Sequence, residues 1–180
     1  RGFLTEATEW SRDSVTEYIS DTNEKVKNNK SEDFINKAEG KFASQMDDLI
    51  DQITTDIKNI KLICVAGPSS SGKTTFTGKV KQELMKKGYE PLMISMDDFY
   101  LHQDKVPRIE GTDKPDFEHI EALDLPYFDE VILSLTKGEE VKLPIWDFAR
   151  QERTYKEPMR LKENQPILIE GIHGLNDRVA

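Results

Sequence analysis

Gly67-Pro68-Ser69-Ser70-Ser71-Gly72-Lys73-Thr74-Thr75 decides how this chain is read. It fits G-x-x-x-x-G-K-[ST], a loop pattern whose backbone cradles the phosphates of a nucleotide. Just before it, Lys61-Leu62-Ile63-Cys64-Val65-Ala66 is short, apolar and partly β-branched, the composition of a buried strand. Just after it, Phe76, Val80 and Leu84 recur at four-residue spacing, one face of a helix that ends near Gly88. Gly67 and Gly72 free the backbone to turn successive N–H groups inward around an anion. The following helix N-terminus adds unpaired N–H groups and partial positive charge. On this reading Gly67, Ser69, Ser70, Ser71, Gly72, Lys73, Thr74 and Thr75 hold the phosphates. Lys73 reaches the β- and γ-phosphates, and the Thr74 hydroxyl ligates Mg²⁺. The competing reading is a plain Ser/Gly turn. Average residue usage produces the pattern by chance in on the order of 1% of chains this long, so the turn reading is set aside.

Downstream, Pro91-Leu92-Met93-Ile94-Ser95-Met96 predicts a second buried strand running into Asp97-Asp98-Phe99-Tyr100. In open α/β sheets ligands bind beyond the carboxyl ends of strands, which puts these acids where the γ-phosphate belongs. Residues 101–118 form a long polar loop of the kind that often binds ligands. Asp124 caps a helix with Pro126 in its first turn, Phe128, Val131, Ile132 and Leu135 on its buried face and Gly138 at its end. Val141–Phe148 and an extended piece near 154–161 suggest a hairpin. Pro166-Ile167-Leu168-Ile169 is a third strand, ending in Glu170-Gly171-Ile172-His173-Gly174. Strands alternating with helices imply an α/β fold with a parallel sheet flanked by helices, of the P-loop NTPase type.

Upstream lies a helical N-terminal segment. Leu4, Ala7, Trp10, Val15, Tyr18 and Ile19 make a ragged stripe over residues 3–20, with Thr5 as cap. Residues 21–31 are almost wholly polar and read as a linker. From Ser31 a longer helix is expected to about Lys58, with Phe34, Ile35, Ala38, Phe42, Met46, Leu49, Ile50, Ile53 and Ile57 near a helical period. Such a stripe packs on the chain's own core more often than on a partner. The domain limits expected are therefore 1–58 for a helical extension and 59–180 for the nucleotide-binding core.

The 180 residues carry a net charge of −9, which disfavours nonspecific binding to nucleic acid or anionic membrane. No run is long and apolar enough for a membrane span, and no signal peptide is recognisable. The single cysteine, Cys64, reads as a small core residue, and a cytoplasmic setting is the default. Homo-oligomer formation is left open.

Two acids at strand ends turn nucleotide binding into chemistry. Glu170 is placed to orient Mg²⁺. Asp97 suits a general base within reach of metal and γ-phosphate, accepting the proton of an attacking hydroxyl. Asp98 would point elsewhere, as a turn or cap residue. His102, His119 and His173 are too scattered for a zinc site.

Taken together and in order, GPSSSGKTTF, ISMDDFY, DFEHIEALD, LPIWDF and ILIEGIHGLN resemble the uridine kinase (uridine–cytidine kinase) and phosphoribulokinase family. The likeness is nearest to bacterial-type uridine kinase-like proteins with extra N-terminal domains, and covers about residues 32–180. It implies transfer of the γ-phosphate of ATP or GTP to the 5′-hydroxyl of uridine or cytidine. By this resemblance Asp97 and Lys73 are catalytic, Thr74, Glu170 and Asp97 hold Mg²⁺, and Asp97 faces the 5′-hydroxyl. Tyr100, Phe117 and Ile172 line the nucleoside pocket. Glu118 stands where the family has an Asp for the ribose hydroxyls, Trp146 and Phe148 form an aromatic pair against the base, and Gln151 replaces a base-selecting His. The family's arginine-bearing lid follows the EGIHGLN strand, whereas this chain stops at Ala180. The 180-residue piece alone is thus expected to show little kinase activity. Two other readings stand beside this one: a kinase of another small hydroxyl substrate, as in phosphoribulokinase, and a non-catalytic nucleotide-sensing module.

Overall fold

The computed structural model describes residues 9–12, 16 and 18–179. Two compact units divide the chain, residues 1–49 and residues 50–180.

In the first unit, residues 9–12 are helical, residue 16 is not, and a separate helix α1 covers Ile19–Lys27. The stripe expected over 3–20 does not run through as one helix. Its members Leu4, Ala7 and Val15 and the cap Thr5 lie outside the described residues, and Tyr18 and Ile19 are strongly exposed. The polar run 21–31, expected as a linker, is helical over most of its length. Polarity alone misled here, because the charges suit the helix dipole. Asp21 sits in the first turn and accepts from the Tyr18 N–H at 2.9 Å, while Lys25 and Lys27 occupy the last turn. Asn29, at φ 53°, turns the chain out. Trp10 packs on Phe34, ring centroids 6.3 Å apart, with Lys25 over the Phe34 ring and Lys41 over Trp10.

Helix α2, Ser31–Thr55, begins with Glu32 and Asp33 in its first turn and stops short of the expected Lys58. Thr54 and Thr55 donate their hydroxyls to Ile50 O (2.8 Å) and Asp51 O (2.7 Å), and residues 56–59 form a turn. Met46, Ile50 and Ile53 are buried, whereas Ile35 and Phe42 are exposed. The division between the two compact units falls within the residue range of α2, and domain limits at 58/59 remain a proposal.

The second unit holds a parallel three-stranded sheet in the order β1-β5-β2, with β1 at Leu62–Ala66, β2 at Leu92–Ser95 and β5 at Ile167–Gly171. The central strand β5 is buried at all five positions, as its place between two paired strands and its apolar run Ile167–Ile169 require, and it carries Glu170 into that burial. By contrast β1, expected to be buried, is only half-buried throughout, because it is an edge strand of this sheet among the described residues. Cys64 is accordingly half-buried, and partial burial pushes its thiol pKa up.

Helix α3, Lys73–Lys86, packs against β1 and β5 and buries Thr77, Val80 and Leu84; Gly88 at φ 91° ends it as expected. Helix α4, Leu125–Thr136, starts at Asp124, whose carboxylate accepts from Tyr127 N at 3.4 Å. It buries Phe128, Val131, Ile132 and Leu135, the face read from the sequence, and Gly138 follows at φ 75°. The hairpin is present as β3, Pro144–Asp147, and β4, Glu152–Tyr155, antiparallel and extended by a Val141–Met159 bridge. Its second strand starts two residues earlier than the sequence suggested.

Between β2 and the loop 101–118 stands a 3₁₀ turn, Met96–Phe99, packed on α4, β3 and β5. Phe99 is 1% exposed and meets Phe128 edge-on, centroids 5.0 Å apart. This turn is seated in the core although it carries two aspartates. Its position, between the sheet tips and the hairpin, sets the geometry described next.

Candidate active site

Three segments leave the carboxyl edge of the sheet together. Register pairs Glu170 with Val65 on one side and Ser95 on the other, so the loop after β1 and the turn after β2 flank the tip of β5. The loop keeps the strand–loop–helix form that its sequence requires. Ser71 N–H bonds Pro68 O at 3.2 Å, and α3 begins at Lys73. Gly72 adopts φ 87°, as expected. Gly67 serves differently: a Cβ there would stand 3.0 Å from Ser71 Oγ and 3.2 Å from Lys73 Cγ, so a side chain would make these two neighbours shift by a few tenths of an ångström. The second left-handed residue is instead Ser70, φ 58°. A non-glycine residue held there is strained, and such strain clusters at ligand-binding turns.

Residues 69–72, Thr74 and Thr75 are exposed, so the cradle is open to solvent. The Lys73 ammonium folds back over the loop onto Pro68 O at 3.0 Å. Thr74 Oγ1 donates to Glu170 Oε2 at 3.2 Å, and Ser95 Oγ donates to Glu170 Oε1 at 3.0 Å. Glu170, 8% exposed, is thus fixed between the loop and the end of β2. Ser95 also caps the 3₁₀ turn by accepting from Asp97 N at 3.4 Å.

Asp97 has its carboxyl pKa raised, first by burial, then by the Glu170 charge, with Lys73 opposing and Asp98 adding slightly. These couplings mean that Asp97, Glu170 and Lys73 share one electrostatic neighbourhood. A carboxylate pair with a hydroxyl is an all-oxygen, hard donor set, and two repelling carboxylates gain from a divalent cation between them. Thr74, Glu170 and Asp97 therefore supply the donor chemistry that Mg²⁺ takes. Among the described residues no group of three or more His, Cys, Asp or Glu side chains could hold a metal by itself.

The raised pKa of Asp97 has a consequence for stability. Folding then favours the protonated carboxyl, so this contribution is fully present below the unfolded pKa and is lost as pH rises through the folded value. Asp97→Asn, which cannot ionise, is expected to raise the melting temperature at pH 7 in metal-free buffer. The gain should shrink to nothing below about pH 4, near the unfolded aspartate pKa. Calorimetry at both pH values checks it, and an unchanged or lower melting temperature at pH 7 would contradict the assignment.

Beyond Asp97 lies an aromatic surface. Tyr100 is 8% exposed, with Phe117 edge-on at 5.4 Å and Phe148 at 6.1 Å between ring centroids. Its hydroxyl donates to Phe117 O at 3.1 Å. Burial and the charges of Asp97 and Glu118 push its pKa up to about 12, so Tyr100 stays a neutral donor. The two aromatics on the hairpin separate: Trp146 is buried in the core, while Phe148 is 63% exposed. Glu118 is exposed, and its carbonyl is bonded to His173 Nε2 at 2.9 Å. Ile172 is half-buried just past β5. Gln151 sits at the hairpin turn with φ 55°, and its Oε1 is buried without a partner.

Asp98 departs from a simple turn role, because its Oδ1 accepts from Trp146 N at 3.1 Å and ties hairpin to turn. Sequence reasoning passed over Ser95, although a Ser before an acidic turn is a cap signature. It also passed over His173 as a tie to the Glu118 loop, and over Arg153. Nothing in sequence spacing marks those two.

Gly171 lets the strand tips approach. A Cβ there would lie 2.7 Å from Met96 Cβ, next to Asp97. Gly171→Ala is expected to cost about 1–3 kcal/mol by overpacking. Denaturant unfolding measures it, and a variant as stable as the parent would show that Met96 is free to yield.

No helix among the described residues is long and apolar enough to cross a membrane. A uridine kinase of Bacillus subtilis (strain 168) is 32% identical over 121 residues, 67% of this chain and 56% of that protein. Uridine kinase-like protein 3 of Arabidopsis thaliana is 30% identical over 111 residues, 62% of this chain and 23% of that protein. The chain thus spans about half the length of the bacterial relatives it matches. The solved structure of a possible uridine kinase from Bacillus stearothermophilus shares the fold, with TM-score 0.63 and 22% identity over 77% of this chain and 75% of that one. Residues 62–180, which contain the loop, both acids and the hairpin, match the family model described as Phosphoribulokinase / Uridine kinase family, and the chain belongs to that family.

Proposed function

We propose that the protein is an ATP-dependent nucleoside kinase that transfers the γ-phosphate to the 5′-hydroxyl of uridine or cytidine. The observation that carries this is the join between two halves: Thr74 of the loop bonds Glu170, while the adjoining acid Asp97 lies between that pair and the aromatic surface of Tyr100. A phosphate-type loop and an aromatic cluster on either side of one carboxylate suit a nucleoside hydroxyl as acceptor.

The amides of residues 69–75 and Lys73 would hold the triphosphate, with GTP as the alternative donor. Thr74, Glu170 and Asp97 would hold Mg²⁺, which neutralises charge on the transferring phosphoryl group. Asp97 accepts the proton of the 5′-hydroxyl as its oxygen bonds the γ-phosphorus and the bond to the β-phosphate oxygen breaks, releasing ADP. Lys73, freed from Pro68 O, swings onto the phosphates. Phe117 and Phe148, packed on the buried Tyr100, would offer ring surface to the nucleoside, Glu118 would accept from ribose hydroxyls, and Gln151 would turn its partnerless Oε1 outward to a base N–H. Trp146, buried in the core, would back this aromatic cluster, and the half-buried Ile172 would flank it.

The test is an acceptor screen with the complete gene product, γ-labelled ATP and Mg²⁺ against uridine, cytidine and ribulose 5-phosphate. Label on uridine or cytidine is expected. Label on ribulose 5-phosphate alone would move the protein to the phosphoribulokinase-like reading. ATP binding with no label on any acceptor would favour a nucleotide sensor.

A further inference from the structure

Arg153 stands on β4, outside every motif used so far, yet it makes an ion pair, two hydrogen bonds to carbonyls and a ring contact, although its Nε is buried without a partner. Its side chain is 18% exposed. Nη1 meets Asp124 Oδ2 at 2.9 Å, while Nη2 donates to Tyr100 O at 3.1 Å and to Phe99 O at 3.4 Å. The guanidinium also lies over the Tyr127 ring, 5.1 Å from its centroid. One planar fork thereby gathers the cap of α4 and the end of the 3₁₀ turn into a single cluster.

The turn is short, so its two ends determine where Asp97 points. Ser95 fixes the entry by capping Asp97 N, and Arg153 fixes the exit by binding the carbonyls of Phe99 and Tyr100. The other hairpin strand grips the same turn through Trp146 N on Asp98 Oδ1. Both strands of the hairpin that bears Trp146 and Gln151 are thus attached to the turn that bears Asp97 and Tyr100.

We propose that Arg153 is a positioning residue for phosphoryl transfer: its guanidinium locks the acid-bearing turn to the hairpin that faces the nucleoside, an inference that rests on the kinase reading above. Lysine keeps the charge for Asp124 but, as a point donor on a flexible stem, does not span Asp124 and two carbonyls at once. A displaced acid costs rate far more than it costs nucleotide affinity.

The experiment compares wild type and Arg153→Lys as complete gene products, by steady-state kinetics with ATP and uridine and by amide hydrogen exchange. The amides of Leu101 and Asp124, bonded to Ala122 O and Phe99 O, report the clamp directly. Expected are faster exchange at both amides, an unchanged KM for ATP, and kcat lower by about 100-fold per folded molecule. Faster exchange with wild-type kcat would reduce Arg153 to a structural ion pair and overturn the proposal. If wild type phosphorylates no acceptor, the kinase reading has failed, and exchange still decides the clamp, since unaltered rates at both amides overturn it. Should Arg153→Lys not fold, Asp98→Ala removes the other attachment of the same hairpin. There, too, a fall in kcat at constant KM for ATP supports the proposal, and an unchanged kcat overturns it.

Discussion

Asp97→Asn is expected to lower turnover by about 10²–10⁴-fold while ATP still binds. The substitution keeps size and polarity but leaves no group able to take a proton from the acceptor hydroxyl. In the metal-free protein, burial and the neighbouring Glu170 charge hold the Asp97 pKa above the ordinary aspartate value. The same variant should be more stable at neutral pH, so lost activity could not be blamed on unfolding. Titration calorimetry with ATP and single-turnover phosphorylation separate the two steps. Full turnover in Asp97→Asn would remove it as the base.

Lys73→Ala should act earlier. Without a nucleotide the ammonium is parked on Pro68 O, within the loop itself. With a triphosphate in the cradle it would supply the positive charge nearest the β- and γ-phosphates. Loss of one such preorganised donor costs about 10²–10³-fold in kcat. Nucleotide affinity should fall as well, unlike in Asp97→Asn. Direct binding of labelled ATP distinguishes the pair, and equal affinity in wild type and Lys73→Ala would mean that the phosphates lie elsewhere.

Much of this site could be read from spacing because the phosphate cradle is local. A glycine in close contact with Ser71 and Lys73, a glycine at positive φ and a helix start all fall within nine residues, and each leaves a compositional trace. The α4 face was legible for the same reason: a capping Asp124, Pro126 and a four-position apolar stripe are short-range signals. Harder to read was anything decided by neighbours far along the chain. The edge position of β1 depends on which strands pair with which, and its five residues look as apolar as those of β5. Helix α1 hid in a polar run because dipole complementarity, rather than burial, supports it. Trp146 and Phe148 are two residues apart and on one side of a strand, yet one is buried and the other exposed, since Phe148 lies past the strand end. Arg153 and His173 act through carbonyl groups, which every residue has, so no side-chain pattern announced them.

A structure of the complete gene product with Mg²⁺, uridine and a non-hydrolysable ATP analogue tests the arrangement most directly. The terminal phosphate should rest on the amides of residues 69–74, with the metal joining it to Thr74 and Glu170. Asp97 should stand within hydrogen-bond reach, about 2.6–3.2 Å, of the uridine 5′-hydroxyl. A triphosphate bound away from this loop, or an Asp97 carboxylate turned from both phosphate and hydroxyl, would contradict the account.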